Sequence, residues 1–187
     1  MYKILILLFI LISNSFAKEW HVDKKADNSI IFHSSTTLLD FKGTTKNIDG
    51  FIYWEGDSLF AEKSEVHFEV SPATFNTGLG KRDSDMREDV LETDKFPLSS
   101  FTGKVTKTKR TKDEIQIEAT GKLSLHGKEK PLTIKAVLKQ TKDKITVKSN
   151  FSVFLKDYNI DAPSLMAFVK VAQEIKIEVM FDMLKVK

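Results

Sequence analysis

Residues 115–125 read IQIEATGKLSL. Ile115, Ile117, Ala119, Gly121, Leu123 and Leu125 share one parity, and Gln116, Glu118, Thr120, Lys122 and Ser124 share the other. Successive side chains on a strand point to opposite faces, so this stretch predicts a long strand with one apolar and one solvated face. The same period recurs on both sides of it. Val66, Phe68 and Val70 alternate with His67 and Glu69, and Leu132, Ile134, Ala136 and Leu138 alternate with Thr133, Lys135 and Lys139, with Val137 out of step. Near the end, Ile175, Ile177, Val179 and Phe181 alternate with Lys176, Glu178 and Asp182. Shorter runs stand at 19–24, 29–34, 50–55, 99–107 and 144–156, with turn residues at 49–50, 55–57, 126–127 and 142–143. About eight such strands, mostly antiparallel, predict an all-β barrel or sandwich.

One stretch departs from the period of two. Residues 81–94 (KRDSDMREDVLETD) are rich in charge, and Met86, Val90 and Leu91 make a narrow apolar stripe at helical spacing. The spacing predicts a short helix over about 84–92, capped by Asp83 or Ser84, with Asp85 in its first turn and Phe96-Pro97 beyond its end. Its carboxylates lack the spacing of a calcium loop and read as a solvated face balanced by Lys81, Arg82 and Arg87.

Composition narrows the function. The 187 residues carry a formal net charge of +3, 41% are hydrophobic and none is cysteine. That excludes disulfides, thiolate metal sites and thiol nucleophiles, and the mild charge asks for no nucleic acid. His21, His33, His67 and His126 form no metal-binding pair motif, and no serine sits in a nucleophile elbow. No enzyme, metal or cofactor is therefore expected. A transmembrane barrel is disfavoured too, because Lys and Glu populate the polar face and the Phe residues are scattered rather than gathered into girdles. The tripeptide 150–152 (NFS) is a chance glycosylation signal within a strand.

Residues 1–17, MYKILILLFILISNSFA, have a basic start at Lys3, an apolar run over 4–12, and small residues at Ser15 and Ala17. This is the pattern of a secretory signal cleaved after Ala17, and the apolar run is short for a membrane span. Residues 18–187 then form one exported domain of 170 residues, 187 less 17. Twelve of the fourteen Phe lie in it. They either fill a solid core or line a cavity, and an eight-stranded barrel is the size at which both occur.

Four stretches, in order, resemble the YceI-like, polyisoprenoid-binding family of exported bacterial proteins. The first is 29–33 (SIIFH) with 41–43 (FKG) and 49–50 (DG). The second is 76–78 (NTG) with Arg82-Asp83, Met86-Arg87 and Phe96-Pro97; the third is 121–127 (GKLSLHG) with 130–132 (KPL); the fourth is 155–160 (LKDYNI). Asp85 stands where the family often has His, and the apolar 162–172 departs from its usual pattern.

The resemblance implies an extended antiparallel eight-stranded lipocalin-like barrel, with the short helix near its mouth. It implies a periplasmic protein that holds a long isoprenoid, a polyprenyl chain or quinone tail, or another amphiphile, for carriage or storage. Transient membrane contact would accompany that role. The alternative is a packed barrel acting through its surface, as an envelope stress or interaction protein without lipid. For the first reading, inward parity nominates Phe32, Phe41, Phe68, Phe75, Phe101, Leu123, Leu125, Ile134, Phe151 and Val153 as lumen wall. Tyr158, Met166 and Phe168 are the candidates at the opening.

Overall fold

A computed structural model describes residues 17–55, 63–166 and 169–186, with backbone alone at 17, 164–166 and 169. The predicted signal therefore lies outside the described residues except for Ala17. The strands are β1 (Ala17–Val22), β2 (Ser29–Ser35), β3 (Asp40–Thr45), β4 (Asp49–Glu55) and β5 (Ser64–Val70). After helix α1 (Gly80–Asp85) come β6 (Ser99–Arg110), β7 (Ile115–Leu125), β8 (Lys128–Gln140) and β9 (Lys144–Phe154). The small β10 (Ser164–Met166) and β11 (Val169–Lys170) precede β12 (Glu174–Lys185).

Eight of these close a barrel in the order β1-β4-β5-β6-β7-β8-β9-β12, with β12 returning to β1 and every pairing antiparallel. Closure leaves the ring no free edge. The periods of two read from the sequence face as expected: Ile115, Ile117, Ala119 and Leu123 of β7 are buried, as are Ile175, Phe181 and Met183 of β12. Strands β7 and β8 meet in a two-residue turn at His126 (φ 50°) and Gly127 (φ 69°), the left-handed pair that suits the twist of a hairpin.

Strand β12 has two neighbours along one edge. Lys176 to Met180 pair with β2, and Met183 to Lys185 pair with β1. The step between them is filled by Asn28, whose side chain is buried. Its Oδ1 accepts from the Asp182 N–H (3.1 Å) and its Nδ2 donates to the Asp23 carbonyl (2.9 Å). Asn28→Ala takes away the acceptor of the buried Asp182 N–H, while the Asp23 carbonyl keeps its bond from the Ala26 N–H. It should lower stability by about 1–3 kcal/mol, measured by urea unfolding; an unchanged midpoint would remove Asn28 from this role.

The carboxylate of Asp182 accepts from Thr146 Oγ1 (2.6 Å) and Lys144 Nζ (3.0 Å). Burial pushes its pKa up, but the hydrogen bonds from Thr146 and Lys144 outweigh that and hold it below the usual carboxylate range. Asp49 is lowered likewise, first by the hydrogen bond from Lys24 and, against burial, by the Gly50 N–H. A folded-state pKa below the unfolded one stabilises above the ordinary carboxylate range. That contribution is lost as pH falls through about 4 toward the folded values. The Tm of the protein should therefore drop between about pH 5 and 3, with a shallower slope in Asp182→Asn.

The structure corrects the sequence reading at three points. The helix begins at Gly80, four residues before the predicted 84, and ends at Val90 after a wider turn in which Leu91 N–H donates to the Met86 carbonyl (2.9 Å). Asp83 is buried in the helix and caps nothing; its carboxylate instead accepts from Thr77 N–H (2.9 Å) and Thr77 Oγ1. Strand β3 is the third departure, since alternation gave no sign of it. It forms because β2 offers it an edge and because Gly43, opposite Phe32, leaves room for that ring; a Cβ there would stand 2.2 Å from Phe32 Cε1.

Candidate functional site

The barrel interior has two unlike halves. At the end formed by β1 and the C-terminal part of β12, Trp20 and Trp54 stack with ring centroids 6.3 Å apart and planes 7° from parallel. Ile115, Leu138, Ile145 and Met183 complete a solid plug. Above it opens a cavity of about 840 Å³. Its floor is Ile52, Ile117, Ala136 and Phe181, and its walls include Val66, Phe68, Phe101, Ile134 and Phe151. Aromatic rings meet across it: Phe68 and Phe181 at 4.8 Å, Phe32 and Phe75 at 5.3 Å, Phe32 and Phe41 at 6.3 Å edge-on. The choice between a packed core and a cavity is thus resolved by depth. The tryptophans fill one end, and much of the Phe content lines the other.

All ten wall residues nominated from parity lie on this cavity: Phe32, Phe41, Phe68, Phe75, Phe101, Leu123, Leu125, Ile134, Phe151 and Val153. Of the three nominated for the opening, Tyr158 is absent from the lining. The chain leaves β9 in a tight turn (Leu155–Tyr158) that ends strand alternation, so Leu155 reaches the cavity while Tyr158 is buried beside it. Burial pushes its phenol pKa up. The Met166 side chain and all of Phe168 lie outside the described residues. Parity did carry residues left unnamed, among them Ile30, Val147, Ile175, Ile177, Val179 and Phe181. The rim leucines, Leu38, Leu39 and Leu79, sit in turns where no period marks them.

The mouth is partly covered by the helical segment, whose predicted stripe of Met86, Val90 and Leu91 faces the cavity. Both its ends are tied down. At the start, Arg82 Nε donates to Thr77 Oγ1 (2.9 Å) and Nη2 to the Thr77 carbonyl (2.8 Å), and the guanidinium carbon lies 4.6 Å over the Phe41 ring. Beyond its end, Glu92 Oε2 faces His126 Nε2 (3.1 Å), and His126 Nδ1 faces the Tyr158 carbonyl (3.2 Å). The Glu92 carboxyl is held low first by its hydrogen bond from Lys95 and then by His126. On the other side, Ala172 N–H donates to the Ser35 carbonyl (2.8 Å), which fastens the β10–β11 hairpin to the end of β2.

The lining is almost wholly aliphatic and aromatic. Its charged members, Lys81, Arg82, Asp85 and Asp89, all belong to the mouth helix and cancel formally. Among the described residues, no group of three or more His, Asp or Glu is placed to hold a metal. Chemically this is a site that removes apolar surface from water and carries charge only at its mouth.

The profile of the YceI-like domain matches residues 20–183. Protein YceI of Escherichia coli O157:H7 and of Salmonella newport (strain SL254) are each 30% identical over 155 residues, covering 77% of either chain. Among solved structures, BcnA of Burkholderia cenocepacia superposes with a TM-score of 0.70 at 17% identity, over 86% of this chain and 98% of that one. A polyisoprenoid binding domain from Saccharophagus degradans gives 0.71 at 15% identity, over 89% and 98%.

Proposed function

Because the chain belongs to the YceI-like domain family, we propose that it binds a long isoprenoid lipid in the barrel lumen and carries or stores it in the periplasm. The observation that carries this reading is the 840 Å³ apolar cavity above the tryptophan plug, open at one end. Each methylene of ligand taken from water into such a lumen gains roughly 0.8 kcal/mol. A prenyl chain has many of them and few polar groups that need partners. The polyisoprenoid-binding domain of the same fold points to the same ligand class. The pattern of residues 1–17 supports export. The role is that of a binding protein rather than an enzyme, with the lipid as ligand and no cofactor.

Native mass spectrometry of the protein purified from its own envelope tests it. A bound mass in the range of a prenyl lipid is expected. An empty protein that takes up neither added quinone nor polyprenol would overturn the reading and favour a barrel working through its surface.

Contact with a membrane during loading belongs to the same proposal. Leu38 and Leu79 line the mouth yet are 76% and 58% exposed. They form an apolar rim continuous with the lumen, suited to enter a lipid surface briefly. Leu38→Asp with Leu79→Asp should slow transfer of a fluorescent prenyl lipid out of vesicles several-fold, with occupancy at equilibrium little changed. Equal transfer rates would count against rim contact.

A further inference from the structure

Four serines, Ser34, Ser99, Ser100 and Ser149, line the cavity; Ser99 Oγ donates to the Ser124 carbonyl (2.9 Å), and Ser34 and Ser149 continue apolar runs of one parity. In β9, Ile145, Val147, Ser149, Phe151 and Val153 share a parity. Ser149 is structurally accounted for: its Oγ donates to the Lys135 carbonyl (2.7 Å), which lies just past the last β8–β9 pair, Ala136 with Ser149. In β2, Ile30, Phe32 and Ser34 all line the cavity. Ser34 is only 8% exposed, and its hydroxyl has no hydrogen-bond partner among the described residues. A buried hydroxyl left unpaired destabilises the fold, so a wall that tolerates one needs a reason.

The surroundings of Ser34 supply the reason. Its partner across the strand pair is Phe41, and over the Phe41 ring sits Arg82. Two Arg82 nitrogens, Nε and Nη2, are engaged by Thr77. Nη1 makes no hydrogen bond to the described residues, and Arg82 lines the cavity. A hydroxyl and a guanidinium N–H, both able to donate, thus line the cavity on either side of Phe41, Ser34 as its strand partner and Arg82 over its ring. Toward the floor at Ile52, Ile117 and Ala136, the neighbouring Ser149 hydroxyl already spends its proton on the Lys135 carbonyl.

Building on the lipid-binding reading, we propose that Ser34 and Arg82 anchor the head group of the ligand through an acceptor oxygen, and that the tail enters first. Because the cavity-lining charges of the mouth helix (Lys81 and Arg82 against Asp85 and Asp89) cancel, the head that fits is a neutral carbonyl rather than a diphosphate. The cation over Phe41 also offers a flat carbonyl-bearing head an aromatic neighbour, and Phe32 and Phe41 bound it on one side.

Displacement binding with three probes of similar tail length tests this: a prenylated benzoquinone, a prenyl diphosphate and squalene, which has no head. The wild-type protein should prefer the quinone over squalene by about tenfold, the value of one or two hydrogen bonds made to a buried donor. Ser34→Ala and Arg82→Met should each reduce that preference severalfold, and the double variant should abolish it while squalene affinity stays constant. The ligand-free Ser34→Ala protein should be at least as stable as wild type, because it loses an unpaired hydroxyl; a structural role for Ser34 would lower its Tm instead. A preference that survives in the double variant, or is absent in wild type, overturns the anchor while leaving lipid binding intact. Tightest binding of the diphosphate overturns the neutral head. Failure to bind all three, squalene included, overturns the lipid-binding reading and the anchor with it.

Discussion

Ala136→Phe should abolish most lipid uptake while leaving the protein folded. Ala136 lies on the cavity floor, paired with Ile117 on one side and Ser149 on the other. A benzyl group there projects into open volume, so the overpacking that usually penalises small-to-large changes in a core does not arise. Filling a void commonly adds about 0.5–2 kcal/mol, so the Tm should hold or rise. The ligand, however, loses the deepest part of its site. Uptake of a long prenyl chain should weaken at least tenfold, the equivalent of about two buried methylene groups, read by displacement binding beside a thermal melt. Undiminished uptake in a folded variant would show that the tail does not reach the floor.

Trp54→Ala should give the opposite pattern. Trp54 is nearly inaccessible, stacks on Trp20 and is absent from the cavity lining. Removing a buried indole from a plug that cannot collapse around it lowers stability by roughly 3–5 kcal/mol. For a domain of this size that is a drop in Tm of roughly 6–20 °C. It is a large share of the roughly 5–15 kcal/mol that holds an ordinary domain together. Below the new midpoint, lipid uptake should remain close to wild type. A small change in Tm would mean that the plug is not where the barrel's stability resides.

The strands were legible where one face is apolar along its whole length. In β7 and β12 the inward residues follow one parity without a break, and the direction of every wall residue in them could be read off. Strand β3 was not, because its residues, DFKGTT, hold one aromatic and a glycine and owe their conformation to β2. The start of α1 escaped for a related reason: Gly80 to Arg82 carry no apolar period, and tertiary contacts between Thr77, Arg82 and Asp83 place it. Depth was hidden altogether. Ile52 and Trp54 share a parity in β4, as Val66 and Phe68 do in β5, yet Trp54 lies in the plug while the other three line the cavity. Parity tells which face a side chain takes; its height in the barrel follows from register, which pairing between distant strands sets.

Strand β12 serves β1 along one stretch and β2 along another. The hairpin of β2 and β3 therefore frames the mouth without being a stave of the closed ring, and its outer edge carries one backbone bridge, Thr44 with Asn76, among the described residues. Mutational drift meets two separate selective regimes in one small domain. Changes near the tryptophans are filtered by whether the chain survives at all. Changes at Phe32, Ser34, Phe41 and the rim fall on the lining of the cavity mouth, outside the closed ring of staves. A scaffold divided in this way can be retuned to new cargo over generations while the machinery that keeps it folded is inherited unchanged.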